Sequence, residues 1–195
     1  EDASVRGGPV DWARAGHEYD EIRDNMLGWD ITDFGLGEYD RTGLLLFTIR
    51  NGNPRLERYD KPYCEKILIC GNEQMTPTHF HWEKMEDIIC RGGGNLLLRV
   101  WNATEDGGKL DSRVDVNVDG HQYQVEAGET LTLTPGESIT LRSYQYHEFW
   151  GEPEAGETFV LVGEVAKLND DQHDNRFFDD EIGRFPAIEE DEPAL

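Results

Sequence analysis

The chain has 195 residues, of which 37% are hydrophobic and 30% are charged, a balance typical of one soluble globular domain. Its formal net charge is -23, which argues against nucleic acid or an anionic membrane as a partner. No apolar run reaches the roughly 20 residues of a membrane helix and no signal peptide opens the chain, so we expect a cytoplasmic protein.

The chain in order predicts an arm, a barrel and a tail within a single domain. Residues 1–40 form the arm, with a short helix expected over residues 11–26 and Gly-rich irregular structure after it. Residues 41–168 alternate short apolar runs with turns, which predicts an all-β sandwich or barrel. The nine predicted strands are 43–50, 64–70, 78–82, 95–102, 114–120, 121–128, 129–136, 138–150 and 157–168.

The tail, residues 169–195, is polar and acidic but contains five large apolar residues. These are Phe177, Phe178, Ile182, Phe185 and Ile188. Such anchors favour a tail that packs back across the barrel over a disordered one. The three cysteines lack a Cys-x-x-Cys spacing, so we expect them to be reduced and buried: Cys64, Cys70 and Cys90.

The densest chemistry lies in residues 77–102. Side chains of a strand alternate between its two faces, so His79 and His81 project to one side. Phe80 and Trp82 then project to the other side, which assigns Trp82 to packing. Two imidazoles are therefore expected to point inward, close together.

A carboxylate and a third histidine complete this pattern. Glu86 is expected to begin the next strand and to offer an oxygen to the same point. His147 lies in another alternating run and is the candidate ligand from a distant strand. These four residues predict a metal site, whereas three other histidines are expected to be ordinary surface residues: His17, His121 and His173.

These residues resemble the two motifs of the cupin superfamily. The first motif is matched by Gly71, His79, His81, Glu86 and Gly93, and the second by Gly128, Pro135, Gly136 and His147. The resemblance implies a jelly-roll β-barrel with the metal inside it.

A more specific resemblance covers residues 40–193. The strings HFHWEKMEDIICRGGGNLLLRVWN, GEVAKLNDD, DNRF and IGRFP are similar to those of the D-lyxose isomerase family of cupin sugar isomerases. Members of that family usually carry an additional N-terminal helical segment, which this chain is expected to lack in part. The resemblance implies an enzyme that interconverts an aldose and a ketose.

The donor set indicates which metal fits. Three imidazole nitrogens and one carboxylate oxygen leave two positions open if the ion is six-coordinate, which suits Mn²⁺, with Fe²⁺, Co²⁺, Ni²⁺ or Zn²⁺ as substitutes. Structural zinc is disfavoured because no thiolate is placed beside the histidines. Two adjacent open positions suit O1 and O2 of an open-chain sugar.

Isomerisation also needs a proton-carrying group and a cation. Lys84 matches the family's lysine and is the expected cation; the alternative is a surface lysine in a polar turn. The resemblance points to Asp180 or Glu181 as the proton shuttle. Further candidate substrate contacts are Asp171, Arg176 and Arg91, for which solvated surface or, for Arg91, ion pairing within the barrel is the alternative.

Three functions are compatible with this pattern. The first is a metal-dependent isomerase of D-lyxose and D-xylulose, and also of D-mannose and D-fructose. The second is a cupin dioxygenase using Fe²⁺ and O₂, and the third is a metal-holding module that binds sugar without catalysis. Cupin barrels commonly pair through sheet edges, so a homodimer is expected.

Overall fold

Antiparallel strands dominate the chain. The structure is a computed structural model that describes residues 16–170 and 173–182. Within those ranges the strands are β1 (Gly28–Thr32), β2 (Leu44–Arg50), β3 (Tyr63–Gly71), β4 (Thr76–His81), β5 (Glu86–Gly92), β6 (Gly94–Asn102), β7 (Val114–Val118), β8 (His121–Val125), β9 (Thr130–Leu133), β10 (Ser138–Leu141), β11 (Gln145–Pro153), β12 (Phe159–Lys167) and β13 (Asn175–Phe177).

These strands form two antiparallel sheets. The larger sheet has the order β1-β2-β3-β12-β5-β10-β7-β8, and the smaller has the order β13-β4-β11-β6-β9. Buried residues alternate with partly exposed ones, as at Leu96, Leu98 and Val100 of β6, and the inward side chains of both sheets meet in one apolar core. The all-β jelly-roll barrel of the cupin type is therefore confirmed.

Over residues 16–40, the described part of the arm, there is less helix than predicted. Of the helix expected over residues 11–26, the first five positions lie outside the described residues. The rest forms a 3-10 turn at His17–Tyr19 and the helix α1 at Asp20–Asp24. Helix α1 ends at Asp24, with Asn25 as its C-cap, because Met26 adopts a φ of 54°, a left-handed conformation that stops helix propagation.

Two edge strands and one break in a strand were not predicted. Strands β1 and β13 lie in segments for which irregular structure was expected, and each pairs along one side only. The predicted run 138–150 divides into β10 and β11, which belong to different sheets. Tyr144, with a φ of 59°, makes the turn between them, and neither glycine nor proline marks that turn in the sequence.

The tail packs on the barrel as expected, as far as it is described. Strand β13 pairs with β4, with Asn175 opposite His81 and Phe177 opposite His79. Phe177 is buried in the core and Ile182 packs against it. The expected anchors Phe185 and Ile188 lie outside the described residues.

All three cysteines are buried and free, which confirms the expectation for them. Neither helical segment in the described ranges has the length and hydropathy to cross a bilayer.

Candidate metal centre and active site

Three histidines converge inside the barrel, of which His81 and His147 are buried and His79 is partly buried. His79 and His81 project from β4, and His147 projects from β11 directly opposite His79. Their ring centroids are 4.2 Å (His79 to His147), 5.0 Å (His79 to His81) and 5.6 Å (His81 to His147) apart. One ring nitrogen from each lies within 4.8 Å of the others, so the cluster can hold a metal ion.

Backbone carbonyl groups orient all three rings. Each Nδ1 lies within hydrogen-bonding distance of a backbone carbonyl oxygen. The distances are 2.8 Å from His79 to Pro77, 3.2 Å from His81 to Asp174 and 3.1 Å from His147 to Gln145. A carbonyl oxygen only accepts, so Nδ1 carries the proton and Nε2 presents its lone pair to the cluster. Nε2 of His81 and of His147 is buried without a hydrogen-bond partner. Such unsatisfied nitrogens are what a metal ligand requires before the ion binds.

Glu86 supplies the carboxylate expected at this point. As predicted, it begins β5, and its Oε1 lies 3.3 Å from Nε2 of His81 and 3.1 Å from Nε2 of His147. Burial opposes ionisation of this carboxyl, but the positive charge of Lys84 beside it holds its pKa well below its usual value. Glu86 is therefore an anion, the form that binds a cation.

Two of the imidazoles, those of His79 and His81, are held in the neutral form. Burial, followed by the nearby His147 and His81, holds the pKa of His79 well below its ordinary value. Burial and the positive charge of Lys84 likewise lower the pKa of His81. Neutral imidazole is the form in which histidine coordinates a metal, so these two ligands need not lose a proton first.

Lys84 is buried and lies against this cluster. Its Nζ is 2.7 Å from Oε2 of Glu86 and 3.0 Å from Oε1 of Glu164. Only 4% of its side chain is exposed, so the alternative of a surface lysine in a polar turn is wrong.

A second buried carboxylate and a second buried lysine were missed in the sequence. Glu164 of β12 lies between the ammonium groups of Lys84 and Lys66, the latter 3.6 Å away. Lys66 also donates to Oδ1 of Asn169 at 2.8 Å. The sequence did contain a signal, because Lys66 and Glu164 occupy inward positions of β3 and β12 whose other inward residues are apolar.

Asp174 ties the tail to the metal centre. Its carboxylate accepts the backbone N–H groups of Glu83 and Lys84, at 2.7 and 2.9 Å, and its carbonyl oxygen orients His81. Asp174 therefore holds both the β4–β5 connection and one ligand. The sequence analysis assigned it no role.

A cavity adjoins the metal cluster. Its polar lining, beyond the ligands, comprises Lys66, Thr76, Lys84, Glu164 and Asn175, and its apolar wall comprises Phe34, Leu44, Leu46, Leu68, Phe149 and Phe177. Phe34 comes from the arm and is buried in a left-handed conformation with a φ of 55°. Its ring packs edge-on against Phe177 of the tail, with 5.8 Å between centroids.

Other predicted site residues lie elsewhere. Asp180 and Glu181 are exposed and lie outside the cavity lining, and Asp180 accepts a hydrogen bond from Arg176 at 3.1 Å. Arg176 projects from β13 on the face opposite Phe177, and Arg91 is exposed on the outward face of β5, so it is not ion-paired within the barrel. Asp171 lies outside the described residues. Direct roles for these five residues stay predictions.

Trp82 packs outside the cavity, as expected from its position in the strand. Its ring contacts Phe80 and Tyr144 edge-on, at 4.6 and 5.3 Å between centroids. The three histidines expected at the surface are all exposed: His17, His121 and His173.

Solved structures similar to this chain support the fold. The chain resembles the L-ribose isomerase of Acinetobacter sp. DL28 in complex with L-ribose, with a TM-score of 0.58 and 16% identity over 92% of this chain and 87% of that one. It also resembles the L-ribose isomerase of Cellulomonas parahominis with L-psicose, with a TM-score of 0.55 and 15% identity over 91% and 86%. At this identity the likeness concerns the fold alone.

Sequence relatives define the family. The family model described as D-lyxose isomerase matches residues 7–195. The chain is 48% identical to a D-lyxose/D-mannose isomerase of Serratia proteamaculans, over 95% of this chain and 80% of the relative. It is 30% identical to a D-lyxose ketol-isomerase of Cohnella laeviribosi, over 84% and 82%. The chain therefore belongs to the D-lyxose isomerase family.

Proposed function

We propose that this sugar isomerase is metal-dependent and interconverts D-lyxose with D-xylulose, and D-mannose with D-fructose. The observation that carries the proposal is the buried contact of Lys84 with both Glu86 and Glu164. Glu86, at one end of this chain of charges, belongs to the proposed metal cluster. Glu164, at the other end, is a carboxylate that has no part in that cluster. The site thus holds an ion position and a proton-carrying group together.

The metal would be held by His79, His81, Glu86 and His147. Three imidazoles and one carboxylate suit Mn²⁺, and Fe²⁺, Co²⁺, Ni²⁺ and Zn²⁺ accept the same donors. When bound, the ion supplies Lewis acidity toward the oxygens at C1 and C2 of an open-chain sugar.

Glu164 is the residue that we propose to carry the proton. Isomerisation removes the proton from C2 of the aldose and returns it to C1, and one carboxylate on one face of the sugar can do both. Glu164 is buried, lines the cavity and has no ligand role. Lys84, beside it, can donate to the sugar oxygen on which negative charge develops.

Asp180 or Glu181, predicted from the family resemblance, is the second candidate for the proton shuttle. Both carboxylates are exposed in this structure. A role for either requires the segment after β13 to reach into the cavity when sugar binds. Glu164 requires no such movement, which is why we favour it.

D-lyxose and D-mannose are both proposed as substrates because the two sugars share their configuration at three carbon centres. D-mannose repeats the configuration of D-lyxose at C2, C3 and C4 and adds one carbon, so a site that reads those centres accepts either sugar. The names of the relatives, D-lyxose/D-mannose isomerase, support the same pair. A cytoplasmic location and a homodimer stay predictions.

The buried charges weigh against both alternative functions. A module that only binds sugar gains nothing from burying Lys66, Lys84 and Glu164 together, because desolvated charges cost stability. A dioxygenase needs room for O₂ beside the ion, whereas Lys84 and Glu86 already occupy one side of it with a charged contact of 2.7 Å.

The decisive experiment is an isomerase assay without oxygen. The Mn²⁺-loaded protein is incubated with D-lyxose under nitrogen, and ketose formation is measured. We expect turnover that is lost in His147→Ala and kept in the matched control His121→Ala, whose imidazole is exposed. Turnover that requires oxygen would contradict the proposal, and full activity of His147→Ala would contradict the ligand assignment.

A further inference from the structure

Few buried polar atoms in the described residues lack a hydrogen-bond partner, and most of them lie at one site. Five side-chain atoms are in this state: Asn25 Oδ1, Thr76 Oγ1, His81 Nε2, Asn117 Oδ1 and His147 Nε2. The two histidine nitrogens face the proposed metal position. Thr76 lines the cavity beside it and is only 3% exposed. The site therefore contains one unsatisfied group that the metal does not explain.

A β-bulge turns Thr76 into the cavity. On β11, His147 pairs with His79 and Phe149 pairs with Thr76, so the three residues 147–149 of β11 lie opposite the four residues 76–79 of β4. In a regular strand Thr76, three residues before His79, would face away from it. The bulge reverses the alternation and puts both side chains on the inner face. Bulges beside active sites commonly re-aim a side chain in this way.

The surroundings of Thr76 give its hydroxyl nothing to bind. Its partner across the sheet is Phe149, and Leu44 also belongs to the apolar wall of the cavity. Burying a hydroxyl without a partner destabilises a protein, so natural structures rarely do it unless a ligand completes the bond. A valine of the same shape would avoid that cost. The hydroxyl thus points to a ligand with a polar group in the cavity.

We infer that Thr76 determines sugar specificity by bonding a hydroxyl remote from the reacting carbons. The inference rests on the proposed function, which places C1 and C2 at the metal and at Glu164. Three residues separate Thr76 from His79, which is at most roughly 10 Å along a strand and less across a bulge. An extended open-chain pentose or hexose spans that interval. The hydroxyl that Thr76 meets is one of those on C3, C4 or C5.

Three variants test the inference. Thr76→Val removes the hydroxyl and keeps the shape, Thr76→Ser keeps the hydroxyl, and Thr78→Val removes a hydroxyl from the same strand. Thr78 is the matched control because its hydroxyl bonds Glu148 outside the cavity. On D-lyxose we expect kcat/KM to fall about tenfold in Thr76→Val and to change less than about twofold in the other two, since one lost hydrogen bond corresponds to roughly a factor of ten.

Thermal unfolding separates a binding role from a structural one. Since the Thr76 hydroxyl is unsatisfied, Thr76→Val without sugar should melt at the same temperature as the unsubstituted protein or higher. A lower melting temperature together with lost activity would mean that Thr76 only supports the fold, and would overturn the inference.

Deoxy sugars identify the partner. Kinetics are measured on D-lyxose deoxygenated at C3, C4 or C5 in turn. The unsubstituted enzyme should lose about tenfold on one of them, and on that sugar Thr76→Val should lose nothing further. An additional loss on every deoxy sugar would overturn the inference and leave the isomerase intact. An unsubstituted enzyme inactive on D-lyxose and D-mannose would instead refute the proposed function.

Discussion

Different residues of the site have separate proposed roles, one set in metal binding and one residue in proton transfer. The histidines and Glu86 can serve the ion alone, because their remaining polar atoms are held by carbonyl groups or by Lys84. Glu164 differs, since its carboxylate contacts two ammonium groups and no proposed ligand. This division allows the ligand role and the proton-transfer role to be tested separately.

Glu164→Gln should abolish most turnover and leave metal binding intact. The amide keeps the size of the carboxylate but cannot accept the C2 proton, and general-base catalysis contributes roughly 100- to 10,000-fold. We expect kcat to fall at least about 100-fold with unchanged metal content by elemental analysis. Asp180→Asn and Glu181→Gln serve as controls. A large loss of kcat in either control, with Glu164→Gln active, would return the shuttle to the tail.

The cysteines should be inert until the protein unfolds. Burial raises the pKa of Cys70 from 9.0 to about 12, and burial also raises that of Cys90. A raised pKa favours the neutral thiol. The stability that the folded protein gains from burying these two thiols is therefore fully present below pH 9 and is lost as the pH rises toward 12. At pH 8 a disulfide reagent should modify no thiol of the native protein and all three in guanidinium. Rapid reaction of one native thiol would contradict the described burial.

At the scale of elements, β13 completes the site although it has only three residues. It pairs with β4, places Asn175 and Phe177 in the cavity lining, and is preceded by Asp174. Without the Asp174 carboxylate, two backbone N–H groups of the β4–β5 connection would lose their acceptor, and the backbone carbonyl group that orients His81 would be held less firmly.

Asp174→Ala should weaken metal binding as well as the fold. Loss of groups that orient a ligand typically costs 10- to 100-fold in metal affinity, and each unsatisfied buried N–H costs about 1–3 kcal/mol. We therefore expect a melting temperature lower by several degrees and a weaker Mn²⁺ affinity, measured by thermal unfolding and by metal titration. Asp179→Ala, which removes an exposed carboxylate of the same tail, is the control. Unchanged Mn²⁺ affinity in Asp174→Ala would refute the role.

Alternation along strands made much of this site predictable. The inward direction of His79, His81 and His147 followed from the period of two, and Glu86 from its place after the turn. Thr76 could not be predicted in this way, because a bulge reverses the alternation and leaves no mark in the sequence. Strands β1 and β13 were missed because edge strands are short and polar, and their pairing depends on a partner far along the chain.

At the scale of the whole molecule, the charge of -23 opposes folding. Like charges repel in the compact state, and salt screens this repulsion over about 10 Å at 0.1 M and 3 Å at 1 M.

Added salt should therefore stabilise the protein. We expect the melting temperature at pH 7.5 to rise by several degrees between low and molar NaCl. At pH 5, nearer the isoelectric point of about 4.4, the rise should shrink because the net charge is smaller. A rise of equal size at both pH values would mean that salt acts by its exclusion from the protein surface and not by screening the repulsion between charges.

Phe34 of the arm and Phe177 of the tail, which contact each other, are under a different evolutionary constraint from the proposed metal ligands. Barrel strands carry the proposed metal ligands, whereas the arm and the tail supply Phe34 and Phe177 to the wall of the cavity that we propose for the sugar. Substitutions in the wall can be selected without disturbing the donors, so a lineage can exchange one sugar for another while its metal centre stays constant. A library randomised at these two phenylalanines is the natural starting point for laboratory evolution toward new aldoses.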